Sequence, residues 1–103
     1  MDNIDYIANN ISELAVLMAL AEEASELSKA AMKLARAKGL LDNPTPISVA
    51  QAESDLIEEY NDLLICVGAL NKMSSLTIGV DIDLRMRKCH RWAERIKNYK
   101  LEG

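Results

Sequence analysis

Phenylalanine is absent from this chain, and the backbone breakers are scarce, with four glycines and two prolines in 103 residues. That shortage excludes a collagen-like or low-complexity chain and argues against a turn-rich β protein. Cysteine is limited to Cys66 and Cys89, which form neither a CxxC pair nor a disulfide framework. Both sit on apolar helix faces, where buried, reduced thiols are expected. Histidine occurs once, as His90 on the polar side of the last helical stretch, so the Glu-x-x-His pairs of a ferritin-like di-iron bundle are missing. No apolar run reaches the ~18 residues of a membrane span. The start, with Asp2 and Asp5, lacks a basic region followed by an apolar core. Together these features lead us to expect a cytoplasmic protein with no membrane partner. Excess positive charge is lacking too: the formal net charge is −4, against general affinity for DNA or RNA polymers.

What remains is helical stock, rich in Ala, Leu, Glu and Lys. The length suits one domain spanning residues 1–103, and folding a chain of this size buries only roughly 60 to 70 % of its surface, which favours oligomers. Residues 3–10 read as a short helix with Ile4, Ile7 and Ile11 in register, broken at Asn9-Asn10, with Ser12 as the next cap. From Glu13 to Lys38 no Gly or Pro interrupts a stripe of Leu17, Leu20, Ala24, Leu27, Ala31 and Leu34. Leu14, Met18, Ala21 and Met32 form a second apolar flank, so more than one neighbour is expected. Gly39 and the turn Asp42-Asn43-Pro44-Thr45-Pro46 end that helix. Ser48 caps another over Ala50 to Met73, with Ala52, Leu56, Leu63, Cys66, Val67 and Leu70 as its stripe and Ile57, Leu64 and Ile65 on other sides. Apolar on most faces, this helix is expected to be central. Asp81 or Asp83 caps the last helix, which runs to about Asn98 and should bury Ile82, Met86, Cys89, Trp92, Ala93 and Ile96.

The charged residues are distributed unevenly. Acids gather between Glu53 and Asp62, while Arg85, Arg87, Lys88, Arg91, Arg95 and Lys97 make the end basic. Glu23 and Glu26 lie three apart on one helix, and Glu59 and Asp62 repeat that spacing on another, so each pair shares a face. Glu59 falls inside the apolar arc, between Ala52 and Cys66. An unpaired carboxylate there would cost several kcal/mol or take up a proton, so a cation or strong donors should stand opposite. Oxygen donors with no well-placed His or Cys select Mg²⁺ or Mn²⁺ over Zn²⁺. The plainer account of Glu22, Glu26, Lys29 and Lys33 is a solvated face laced with i,i+4 pairs. The row Lys88, Arg91 and Arg95 is either another such face or a phosphate contact.

On these residues the chain resembles the MazG-like, all-α nucleoside triphosphate pyrophosphohydrolases, whose mark is EExxE followed by ExxD on two packed helices. Glu22-Glu23-Ala24-Ser25-Glu26, Lys33, the Asn43-Pro44 loop, Glu59-Tyr60-Asn61-Asp62 and Lys88-Cys89-His90-Arg91-Trp92-Ala93-Glu94-Arg95-Ile96 look like the small, phage-type branch. The interval from Glu26 to Glu59 is longer than in many members, and a glutamine common before the motif is missing. The resemblance implies an all-α, four-helix, oligomeric MazG-like bundle, a homodimer or homotetramer with each site walled partly by a neighbour. It implies Mg²⁺-dependent hydrolysis of an NTP or dNTP to the monophosphate and pyrophosphate, with attack at either the α or the β phosphorus. Glu23, Glu26, Glu59 and Asp62 would hold the metal, and Glu22 would be a further ligand or the water-orienting base. Lys33, Lys88, Arg91 and Arg95 would bind the triphosphate and the leaving pyrophosphate. The rival expectation is a non-catalytic helical binding or assembly module that keeps the fold.

Overall fold

The computed structural model describes residues 2–39, 46–73 and 75–102. Four α-helices follow in order, α1 (Asn3–Asn10), α2 (Glu13–Ala37), α3 (Val49–Met73) and α4 (Ile82–Glu102), with no strand among the described residues. The all-α expectation holds, with boundaries close to those read from the spacing. The Asn43-Pro44 loop lies outside the described residues.

Each helix starts where a side-chain oxygen accepts from an otherwise unpaired first-turn amide. Asp5 N–H donates to Asp2 Oδ1 at 2.8 Å, Ala15 N–H to Ser12 Oγ at 3.1 Å, Gln51 N–H to Ser48 Oγ at 3.1 Å and Leu84 N–H to Asp81 Oδ1 at 3.0 Å. The break after α1 arises at Ile11, whose extended backbone and the following Ser12 cap turn the chain by 120° into α2. Gly39 closes α2 in the left-handed region at φ 83°, donating its amide to the Arg36 carbonyl at 2.9 Å, a conformation that costs a residue without Cβ little.

Helix α3 is central to the packed unit: α2 lies along it, and α1 crosses it. The core is small, with Val16, Ala69 and Leu70 at its centre and Ile7, Leu20, Cys66, Met73 and Ile78 packed around them. Lys72 Nζ reaches Asp5 Oδ1 at 3.4 Å and ties α1 to the end of α3 at the surface. The expected α3 stripe is the buried one, with Ala52 and Leu70 sealed and Leu56, Leu63, Cys66 and Val67 half-buried. On α2 the buried face is rotated from the expected one. Val16 and Ala30 are buried, and Leu20, Leu27 and Leu34 half-buried, while Leu17, Ala24 and Ala31 are exposed. Leu14, Met18, Ala21 and Met32 are exposed as well. One helical neighbour consumes one face, and α3 took the face that also carries Val16.

The largest departure is α4. Its expected stripe of Ile82, Met86, Cys89, Trp92, Ala93 and Ile96 is exposed throughout, because α4 joins neither of the two helix pairings. Cys89 is therefore an exposed thiol, Cys66 is half-buried, and Trp92 is not part of a core. With α4 standing off, the radius of gyration is 17.9 Å, where a compact chain of about 100 residues has about 13 Å. Within one chain the helices form a three-helix unit with an outlying fourth, rather than a closed four-helix bundle.

Candidate metal centre

The register of α2 against α3 decides which acids meet. Glu23 belongs to the inward side of α2, one turn or two from Leu20, Leu27 and Ala30, and Glu59 and Asp62 border the inward side of α3. One carboxylate oxygen from each of Glu23, Glu59 and Asp62 lies within 4.8 Å of the other two, and all three residues are half-buried. Of the acids singled out in the sequence, these are the three brought together as a group.

Glu26 stands beside that group rather than in it. It is exposed, and its Oε1 is 3.4 Å from Lys29 Nζ one turn on, the kind of surface pairing that contributes only a few tenths of a kcal/mol. Its charge still reaches the cluster. Burial, followed by the negative charges of Asp62, Glu23, Glu26 and Glu58, pushes the Glu59 carboxyl above its ordinary pKa. Glu22 and Lys33 are exposed on α2; Glu22 is rotated about 100° from Glu23 by the helix itself. Lys88, Arg91 and Arg95 do lie together, lining an open depression along α4 with His90 and Glu94. That helix does not pack on the α2–α3 pair of its own chain, so the cation row and the acids occupy separate parts of the protomer.

Sequence reasoning passed over Cys66 as part of this neighbourhood. It follows Asp62 by one helical turn, and burial together with the charges of Glu23 and Asp62 pushes its thiol upward. The i,i+4 spacing from Asp62 was the available signal. A thiol held protonated beside carboxylates is a poor ligand for a hard cation, which leaves the oxygen donors to define the site. What three converging carboxylates can do is bind a hard divalent cation; without one they repel.

No family model, no curated protein and no solved structure matches this chain. No single helix among the described residues is long and apolar enough to cross a membrane.

Proposed function

We propose that this protein is a Mg²⁺-dependent nucleoside triphosphate pyrophosphohydrolase of the MazG-like kind, acting in the cytoplasm on an NTP or dNTP. The observation that carries the reading is the meeting of Glu23, Glu59 and Asp62 within 4.8 Å across two helices. The donor set fits Mg²⁺ or Mn²⁺: three carboxylates from the two helices that bear EExxE and ExxD, with the Glu59 carboxyl held above its ordinary pKa by burial first and by the neighbouring acids second, a cost that a cation would offset. Glu23, Glu59 and Asp62 would hold the ion, with Glu26 as a fourth donor once its side chain leaves Lys29. Bound Mg²⁺ supplies neutralisation of the phosphate oxygens, the main requirement of phosphoryl transfer. Glu22 serves as a further ligand or as the base that orients water. Lys33, Lys88, Arg91 and Arg95 bind the triphosphate and the pyrophosphate product through charge-assisted hydrogen bonds.

A panel of nucleoside triphosphates incubated with Mg²⁺ tests the reading: pyrophosphate is the expected first product, and orthophosphate appearing first would overturn it. Binding is tested separately. A cation that prefers the folded state stabilises by roughly 2.7 kcal/mol at a hundred times its Kd. Millimolar Mg²⁺ should therefore raise Tm, and Glu59→Gln should remove the response. The exposed stripe of α4 favours one rival, a non-catalytic helical binding or assembly module; a wild-type Tm indifferent to Mg²⁺ would select it.

A further inference from the structure

We propose that Trp92 and Tyr99 on α4 form the seat for the nucleobase of the substrate, beside the cations that take its phosphates. The identity of the ligand rests on the proposed activity; the seat itself is a subsite that neither the acids nor the cations provide.

The first observation is where the aromatic side chains lie. The chain has one Trp, three Tyr and no Phe. Tyr6 and Tyr60 are on α1 and α3, and the other two aromatics are on α4, seven residues apart. At 3.6 residues per turn that spacing is close to two full turns, so both rings leave one side of the helix, about 10.5 Å apart along its axis. Both are open to solvent, Trp92 by 64 % and Tyr99 by 76 %.

The second is what adjoins them. Arg95 and Ile96 stand between the two rings, and the four side chains line one shallow depression. Arg95 also lines the neighbouring depression with Lys88 and Arg91, so the two share a guanidinium. Around the helix the cation row spans about 60° of arc, and the two rings fill the strip between that row and the apolar stripe of Ile82, Met86 and Ala93. An anion held by Lys88, Arg91 and Arg95 therefore has an aromatic wall along one flank.

A nucleoside triphosphate has the matching layout, a polyanionic tail joined through a short neutral sugar to a flat π-face. A free polyphosphate or a phosphorylated peptide would engage the cations and leave the rings unused. Base–aromatic stacking contributes affinity without reading base edges, and the Arg95 guanidinium adds a cation beside the stacked ring. The seat offers much ring surface and few hydrogen-bonding groups. Preference should therefore follow ring size, purine over pyrimidine, with wide tolerance of the base.

Calorimetric titration of the full chain in Mg²⁺ buffer with the uncleavable α,β-methylene analogue of dGTP, and separately with inorganic tripolyphosphate, reads base and phosphates apart. Trp92→Leu should weaken the dGTP analogue about tenfold and leave tripolyphosphate unchanged, and Trp92→Phe should recover most of the loss. The dGTP analogue should bind more tightly than the dCTP analogue, and it should quench the emission of the one tryptophan where tripolyphosphate does not. Trp92 lies outside the core, so Trp92→Leu should keep the helical circular dichroism and the melting transition. A wild type that does not bind the dGTP analogue overturns the proposal, as does equal weakening of both ligands, no weakening of either, or no recovery in Trp92→Phe. A lower sedimenting mass for Trp92→Leu than for the wild type assigns the ring to contacts between copies and overturns it too. Binding is read without turnover, so the two failures separate. Pyrophosphate release alongside an unchanged affinity in Trp92→Leu sinks the seat alone; base-dependent affinity with no pyrophosphate from any triphosphate sinks the activity alone.

Discussion

Leu70 on α3 and Trp92 on α4 each sit in an apolar stripe with the same helical period, yet Leu70 is fully sealed and Trp92 is 64 % exposed. The difference lies in neighbours. Helix α3 is packed against both α1 and α2, whereas α4 makes no comparable pairing with any helix of its chain. An amphipathic pattern states which residues would be buried together; burial itself needs a second surface. The same contrast holds for charge. Glu59, among acids gathered by packing, is pushed to a raised pKa, while the cations of α4 spread along an open face.

The comparison is broken most forcefully by emptying one stripe and then the other. Leu70→Ala should cost about 2–5 kcal/mol in urea unfolding, the usual range for a sealed leucine. Ile96→Ala should cost no more than about 0.5 kcal/mol at dilutions where only single chains are present. Equal losses would mean that α4 is packed within its own chain. Next in size is Asn71→Ala, which removes both bonds to Ile78 and should cost about 1 kcal/mol. Hydrogen exchange should find the Ile78 amide protected in the wild type and fast in the variant.

A gentler effect comes from pH, and it belongs to the acidic cluster. Glu59 holds its proton more tightly folded than unfolded, so the cation-free folded state binds more protons across that interval. Stability in EDTA should therefore fall as pH rises from the ordinary carboxylate range through the raised pKa of Glu59, and level off above it. Glu59→Gln should flatten that slope, and so should saturating Mg²⁺; a slope unchanged in the variant would assign it to other groups. The smallest effect is expected on α4, where Lys97 Nζ lies 3.4 Å from Glu94 Oε1 in solvent. Lys97→Ala should change urea stability by no more than about 0.5 kcal/mol.

The helix starts were legible because capping is local: Ser12, Ser48 and Asp81 bond amides three residues ahead, within reach whatever the rest of the chain does. The pairing of Glu59 with Asp62 was legible for the same reason, being set by one turn of one helix. Joining them to Glu23 required the register of α2 on α3, and the spacing on either helix leaves that register open. The same register separates Glu23 from Glu26 and turns Leu17, Ala24 and Ala31 to solvent.

By itself, then, the order of residues determined four helices, their caps and the stripe each carries, since these depend on contacts within about four positions. Only the tertiary arrangement decided which stripe found a partner and which three carboxylates converged. Those outcomes turn on distances between segments tens of residues apart, and two faces of equal hydrophobicity on one helix are distinguished only when a neighbour occupies one of them.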